Sequence, residues 1–212
     1  MIELDWYFDF ISPFAYFQLT QFGKFPDNIK INLRPVLFAG LLKHWGHKGP
    51  AEIPAKRKLM YRHTLWQARK NKIPFKMPPA HPFNPLKALR LCIALDNDKY
   101  VISKIFDFIW VQGHSLEDLS AWDNLTKELD VENAEEKITD PGIKEQLHTN
   151  TQKAIELGVF GVPTTIFNGE LFWGFDTTEM LLEYITNSEL FEDAEMNRVS
   201  NLPESVQRKI MK

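Results

Sequence analysis

Cysteine is nearly absent from this chain, with one residue, Cys92, in 212. A single thiol makes no intrachain disulfide, no Cys-based zinc site and no Cys-x-x-Cys redox pair. It lies in the apolar run Ala88-Leu89-Arg90-Leu91-Cys92-Ile93-Ala94-Leu95, where a free thiol is expected to be a small, buried, inert helical side chain. Positive charge is also short. The formal net charge is -3, so no chain-wide basic field draws nucleic acid or an anionic membrane. Only the cluster Lys56, Arg57, Lys58 and Arg62 offers a local hold for a small anion. No apolar run approaches a bilayer span, and the acidic opening Met1-Ile2-Glu3-Leu4-Asp5 is not a signal sequence, so the expected location is the cytoplasm. There is no Gly-rich phosphate loop, no glycine-flanked nucleophile elbow, no internal repeat and no low-complexity run.

What is present reads as an ordinary globular chain, 44% hydrophobic and 25% charged. Its 16 Phe and 6 Trp favour a well-filled core or an apolar pocket.

Residues 2 to 10 alternate, with Ile2, Leu4, Trp6, Phe8 and Phe10 on one face and Glu3, Asp5, Tyr7 and Asp9 on the other. Period two predicts a strand. Ser12-Pro13 is a capping residue followed by proline at the first helical position, and the helix it opens is expected to stop near Gly23. A second strand is expected over 29–36, parallel to the first, because a β-α-β crossover demands it. From 37 to 157 the strand signal disappears. Helices are expected at 53–72, 85–96, 99–113, 116–130 and 142–157, separated by Pro- or Gly-bearing breaks. After Gly158 the pattern returns to strand-turn-strand: 163–167, the hairpin dipeptide Asn168-Gly169, then 170–172. A helix follows from about Asp176 to Thr186, and then a polar tail.

The fold class expected is therefore α/β, with one sheet domain split by an all-helical insertion. Its segments are 1–37 and 158–187, the insertion is 38–157 with its last helix (about 142–157) set to pack on the sheet, and 188–212 is a C-terminal tail.

Tyr7-Phe8-Asp9-Phe10-Ile11-Ser12-Pro13-Phe14-Ala15-Tyr16 resembles the N-terminal motif of the 2-hydroxychromene-2-carboxylate isomerases and kappa-class glutathione transferases. Further matches follow in order: Arg34-Pro35-Val36-Leu37 with Gly40-Leu41-Leu42-Lys43, then Ile53-Pro54-Ala55-Lys56-Arg57, Phe160-Gly161-Val162-Pro163-Thr164, and Phe172-Trp173-Gly174-Phe175-Asp176. The resemblance spans about residues 3 to 185. It implies a DsbA-like fold, a thioredoxin-like domain interrupted by helices, and glutathione as the cofactor.

Ser12 is the catalytic candidate. A hydroxyl and free amides at a helix start favour an anion, and a sulfur resting there would ionise more readily. A thiol of pKa ~8.5 is about 3% ionised at pH 7, and one of pKa ~6.5 roughly 75%. That change corresponds to ~2.7 kcal/mol. Helix capping alone is the plain alternative. The remaining roles follow from the resemblance. Val162 and Pro163 form the turn whose cis peptide lets main-chain groups pair with a cysteinyl residue. Phe175 and Asp176 sit where the γ-glutamyl end binds, although Asp176-Thr177-Thr178-Glu179 is also a capping sequence. Lys56 matches a lysine near a glutathione carboxylate, or is a solvated cation. Asn84 and Trp45 are substrate-binding candidates, Asn84 being equally natural as a turn residue before Pro85. Trp6, Phe14, Trp66 and Trp173 are further candidates to line an acceptor pocket.

Phe175, Thr177, His47 and Pro85 depart from the residues usual in the family at those positions. His44-Trp45-Gly46-His47 has metal-like spacing without a carboxylate partner, and no metal is expected.

The expected activity is glutathione-dependent isomerisation of an aromatic-ring-derived substrate, with a kappa-like transferase or a non-catalytic glutathione- or peptide-binding protein as alternatives. Family members are commonly homodimers. A small aromatic substrate is the expected partner, with no nucleic acid and no membrane.

Overall fold

The first strand lies inside a four-stranded sheet and is covered on both faces over its last three residues. In the computed structural model, which describes residues 2–206, β1 (Ile2–Phe8) is followed by α1 (Pro13–Leu19) and β2 (Ile29–Pro35). The strands β1 and β2 pair in parallel, from Ile2 opposite Ile29 to Phe8 opposite Pro35. Then come α2 (Phe38–Trp45), α3 (Pro54–Lys70), α4 (Leu86–Ala94), α5 (Lys99–Trp110), α6 (Leu119–Glu128), α7 (Ala134–Thr139) and α8 (Pro141–Glu156). The chain returns to the sheet as β3 (Thr164–Phe167) and β4 (Glu170–Trp173), and continues into α9 (Thr178–Thr186) and α10 (Ala194–Ser200).

The two sheet-forming ends do join. The strand order is β2-β1-β3-β4, with β3 antiparallel to β1 through Asp5–Ile166, Trp6–Thr165 and Tyr7–Thr164. The β3–β4 hairpin closes through Asn168 and Gly169, at φ 51° and 85°, the positive values that a two-residue hairpin turn requires.

Period two places Trp6 and Phe8 on one face, and both are fully buried. There Phe106 of α5 lies within 6.3 Å, centroid to centroid, of Trp6, Phe8, Phe10 and Tyr16, an aromatic cluster that pins α1 and α5 to the sheet. The face of Glu3, Asp5 and Tyr7 is covered only toward the end of the strand, Glu3 being exposed and Asp5 half-buried. Tyr7 packs with Val36, Leu41, Ala154, Val159 and Val162, so α2 and α8 cover that side.

Local expectations fare unevenly. The first helix ends at Leu19, with a short 3-10 turn at Phe22–Lys24 before the strand. Five helices expected between the strands are found within a few residues of their expected bounds, but α2 and α7 are additional. Trp6, read as a pocket candidate, is fully buried core, stacked on Phe8 at 4.5 Å.

The described residues fall into two compact units, one through Thr178 and one from Glu179 onward. The sheet and the helices between β2 and β3 belong to the first. In the second, α10 is capped by Asp193, whose carboxylate accepts from the amides of Glu195 and Met196; Tyr184 and Phe191 stack at 4.8 Å. The end of the expected tail, residues 207–212, lies outside the described residues. Among the described residues no helix is long and apolar enough to cross a membrane.

Candidate active site

Ser12 stands where β1 has ended and α1 begins. Its extended backbone (φ -94°, ψ 113°) and the proline after it start the helix, and its Oγ accepts from the Ala15 amide at 3.2 Å. The capping role read from the sequence is therefore real. The same hydroxyl donates to the carbonyl of Val162 at 3.3 Å, 150 positions away. Both residues are 8% exposed, and the Val162–Pro163 peptide is cis, the form the resemblance implies. The sheet explains the meeting: β3, which follows Pro163, is the antiparallel neighbour of β1, which precedes Ser12.

The two peptide units leading into Ser12 are tied down completely. The Ile11 amide donates to Asp9 Oδ1 at 3.1 Å and the Ser12 amide to the Asp9 carbonyl at 3.1 Å. Phe10 C=O accepts from Trp110 Nε1 at 3.0 Å, and Ile11 C=O from His81 Nε2 at 2.9 Å. The other carboxylate oxygen of Asp9 accepts from the Phe38 amide at 2.9 Å, joining the start of α2 to the same loop. Burial pushes the fully buried Asp9 carboxyl up to about 7, while the amides of Phe38, Ile11 and Phe10 pull it down.

Gln18, on the next turn of α1, is a second buried junction. Its Oε1 accepts from Trp6 Nε1 at 2.7 Å, and its Nε2 donates to Gly174 O at 3.3 Å and Thr178 Oγ1 at 3.1 Å. The loop carrying Asp176 is thereby fixed to the helix that Ser12 caps. Gly174 has φ 95°, and a Cβ there would stand 2.5 Å from Asp176 Oδ1. The carboxylate thus lies over a residue that must lack a side chain. Asp176 is exposed and has no hydrogen-bond or ion-pair partner among the described residues. Phe175 is half-buried, its ring edge-on to Phe17 of α1 at 5.7 Å.

Around Val162 the surface is aromatic. Trp45, 41% exposed, donates from Nε1 to Val159 O at 3.0 Å. Phe160 meets Trp173 edge-on at 5.1 Å, and a Cβ on Gly161 would stand 2.5 Å from Trp173 Nε1, so the indole lies directly on that peptide. Phe14 abuts His63 of α3 at 6.1 Å, and His63 stacks with Trp66 at 5.9 Å.

Lys56 is exposed in the first turn of α3, a helix with six Lys and Arg and no carboxylate. None of the six forms an ion pair among the described residues. Asn84 is exposed, and its Oδ1 accepts from the Leu86 amide at 3.0 Å at the start of α4, the turn role. The structure thus brings Ser12, Val162 and Pro163 together and ties the Phe175–Asp176 loop to α1.

Two cavities, of about 390 Å³ beside Tyr7, Arg34 and Asn150 and about 340 Å³ beside Phe108 and Asn124, are lined by none of the residues predicted for the site. Among the described residues no cluster of His, Cys, Asp and Glu is suited to a metal ion. Cys92 is fully buried in α4, its thiol directed at Asn97 Oδ1 at 3.4 Å and pushed well up by burial.

Asp9, Gln18, His81 and Trp110 were not singled out from the sequence. Asp9 reads in the sequence only as one of the alternating strand residues, and the other three act through partners far along the chain.

Comparison with known proteins agrees with this architecture. The family described as DSBA-like thioredoxin domain matches residues 3–186. Glutathione S-transferase kappa 1 of Rattus norvegicus is 24% identical over 199 residues, 84% of this chain and 88% of that protein. The 2-hydroxychromene-2-carboxylate isomerase of Pseudomonas sp. (strain C18) is 28% identical over 188 residues, 85% of this chain and 89% of that protein. A solved 2-hydroxychromene-2-carboxylate isomerase has the same fold at a TM-score of 0.76 and 23% identity, across 92% of this chain and 99% of that one. The cytosolic disulfide reductase DsbM from Pseudomonas aeruginosa, solved with GSH, shares the fold at 0.60 and 14% identity, across 89% and 99%. With a match running unbroken from β1 through α9, on a sheet whose two ends meet at Ser12 and a cis-proline turn, the chain belongs to the DsbA-like thioredoxin family.

Proposed function

We propose that this chain is a glutathione-dependent isomerase of 2-hydroxychromene-2-carboxylate-like aromatic catabolites, working by reversible thiolate addition. The observation that carries the reading is the meeting of the Ser12 hydroxyl with the Val162 main chain beside the cis proline. Curated relatives that are enzymes of this kind, matched along most of their length, support it.

The residues present fit glutathione. When bound, it supplies a sulfur that adds to a conjugated carbon, frees the adjoining bond to rotate, and leaves again. Ser12 turns its hydroxyl from the Val162 carbonyl to the negative sulfur, which holds the thiol ionised near neutral pH. The carbonyl released in the exchange accepts from the cysteinyl amide, as in strand addition. Asp176, free of partners, meets the γ-glutamyl ammonium, Phe175 contributes its main chain beside it, and Lys56 meets a carboxylate. Trp45, with Phe14, Trp66 and Trp173, offers apolar surface for the aromatic substrate, and Asn84 has its amide NH2 left to meet a substrate oxygen.

The same reading includes a cytoplasmic homodimer, with a two-segment thioredoxin-like domain (1–37 and 158–187) divided by the helices of 38–157. A kappa-like transferase is the second reading, favoured by kappa relatives 24% and 27% identical to this chain. The site is the same, and the sulfur then stays on its acceptor.

The test is a crystal soaked with glutathione, together with the ultraviolet absorbance of a thiolate at neutral pH. The sulfur is expected within hydrogen-bond distance of Ser12 Oγ, and the absorbance is expected to vanish in Ser12→Ala. Glutathione that binds without a thiolate signal would make the protein a binder and sink the catalytic reading. A product analysis with 2-hydroxychromene-2-carboxylate separates isomerase from transferase.

A further inference from the structure

The peptide units before Ser12 owe two of their four hydrogen bonds to the chain that lies between β2 and β3. Their two N–H groups are held within the loop, by the carboxylate and the carbonyl of Asp9. Their two C=O groups point the other way. Phe10 O accepts from Trp110 at the end of α5, and Ile11 O accepts from His81 in the segment before α4. The two donors support each other, with their rings 5.7 Å apart. The same region anchors α1 from a further side: Tyr16 donates its hydroxyl to Pro74 O at 2.8 Å, and Phe75 lies between Phe17 and Trp110.

We propose that His81 and Trp110 are positioning residues for Ser12: by holding the carbonyls of the two peptide units that lead into it, they set where its hydroxyl points. The role at Ser12 rests on the function proposed above. It also gives the helical insertion a part in the chemistry that a sheet-covering layer would not have.

The donor requirement fixes the state of His81. A carbonyl only accepts, so Nε2 must carry the hydrogen. The other nitrogen, Nδ1, lies 3.0 Å from the oxygen of the Tyr61 hydroxyl of α3, which donates its one hydrogen to the His81 carbonyl at 2.5 Å. Phe83 and Trp110 complete the surroundings with apolar rings. Burial pushes the imidazole below its usual range, against the opposing pull of the Ile11 carbonyl, which disfavours the cation and leaves the hydrogen of the neutral ring on the Nε2 that faces that carbonyl. Tyr61 is the titratable group that faces it from α3, with Arg57 acting on Tyr61.

The experiment is nitrogen NMR of the ligand-free, isotope-labelled chain as wild type, His81→Gln and His81→Phe, followed by pH titration of thiolate absorbance with glutathione bound. Wild-type His81 is expected as the Nε2–H tautomer at neutral pH. The Ser12 amide nitrogen, conjugated to the Ile11 carbonyl, is expected to keep its shift in His81→Gln, which retains a donor at that reach, and to move in His81→Phe. The bound thiol's midpoint should rise by about one pH unit in His81→Phe and stay within about 0.3 in His81→Gln; a merely structural role would leave both variants alike. An Nδ1–H tautomer in the wild type, which needs no variant to fold, overturns the proposal. So does a folded His81→Phe whose Ser12 amide has not moved. A wild type that gives no thiolate with glutathione removes the functional reading, while the tautomer and amide shifts still decide whether His81 holds Ser12.

Discussion

The Ser12 hydroxyl spends its proton on the Val162 carbonyl, 3.3 Å away. The donor proposed to stabilise a sulfur anion and the acceptor proposed to receive a peptide amide therefore satisfy each other when nothing is bound. A ligand offering both an anion and an N–H can replace this bond with two. One offering only an anion leaves a carbonyl without its donor, which costs about 1–3 kcal/mol where it is buried.

Ser12→Ala removes that donor and the cap together. Stability should fall by about 1 kcal/mol, the usual worth of a serine N-cap, and this is read by urea denaturation. Turnover should fall far more, roughly 100-fold, comparable to deleting one donor from an oxyanion site. A turnover loss no larger than a few-fold would reduce Ser12 to its capping role.

Asp176→Asn separates binding from folding. The carboxylate is exposed and unpartnered among the described residues, so stability should change by less than about 0.5 kcal/mol. Glutathione affinity should weaken about tenfold, ~1.4 kcal/mol, through loss of a charge-assisted contact with its ammonium. Calorimetric titration gives both the affinity and its expected decline with added salt.

Asp9 makes stability depend on pH in the direction opposite to most carboxylates. Its native-state pKa is pushed up to about 7, whereas an unfolded aspartate titrates near ~3.9. Between those values the native state binds the extra proton, so stability is highest below about pH 4 with respect to this group. It declines to about pH 7 and then levels off, a loss on the order of 4 kcal/mol. Denaturation midpoints across that range should show the slope, and Asp9→Asn should flatten it. A wild-type profile without the slope would mean that the three amides keep the carboxylate ionised throughout.

Cys92 should be silent in redox chemistry. Its sulfur is fully buried and its thiol well above the range in which thiols react. A thiol alkylating reagent is expected to leave the native chain unmodified and to label it only after unfolding, as mass spectrometry would show. The protein should not accelerate the reduction of insulin by dithiothreitol; acceleration would point to a redox route independent of Ser12.

Much of the fold was legible because its signals are local. Alternation in residues 2–10, Ser12-Pro13, and Asn168-Gly169 each act within a few positions, and each gives the expected element, the strand ending at Phe8, two residues short of the alternation. The helix α2 was not legible because its start is made by tertiary contacts: the Leu37 amide donates to Thr151 Oγ1 and the Phe38 amide to the Asp9 carboxylate. The short α7 is preceded by Asn133 in a left-handed conformation, φ 54°, whose side chain makes no capping hydrogen bond. The same division runs through the site. Ser12 and Pro163 stand out by motif, whereas Gln18, His81 and Trp110 matter through partners 156, 70 and 100 positions away, a relation no local pattern contains.

One consequence of α3 concerns the approach of ligands. Six cations stand on this one helix with no carboxylate among them, in a chain whose net charge is -3, so α3 is a local concentration of positive charge on an otherwise acidic chain. His63 sets that helix beside Phe14, two residues beyond Ser12. An anion is therefore expected to be drawn to α3, and its capture should slow as ionic strength rises.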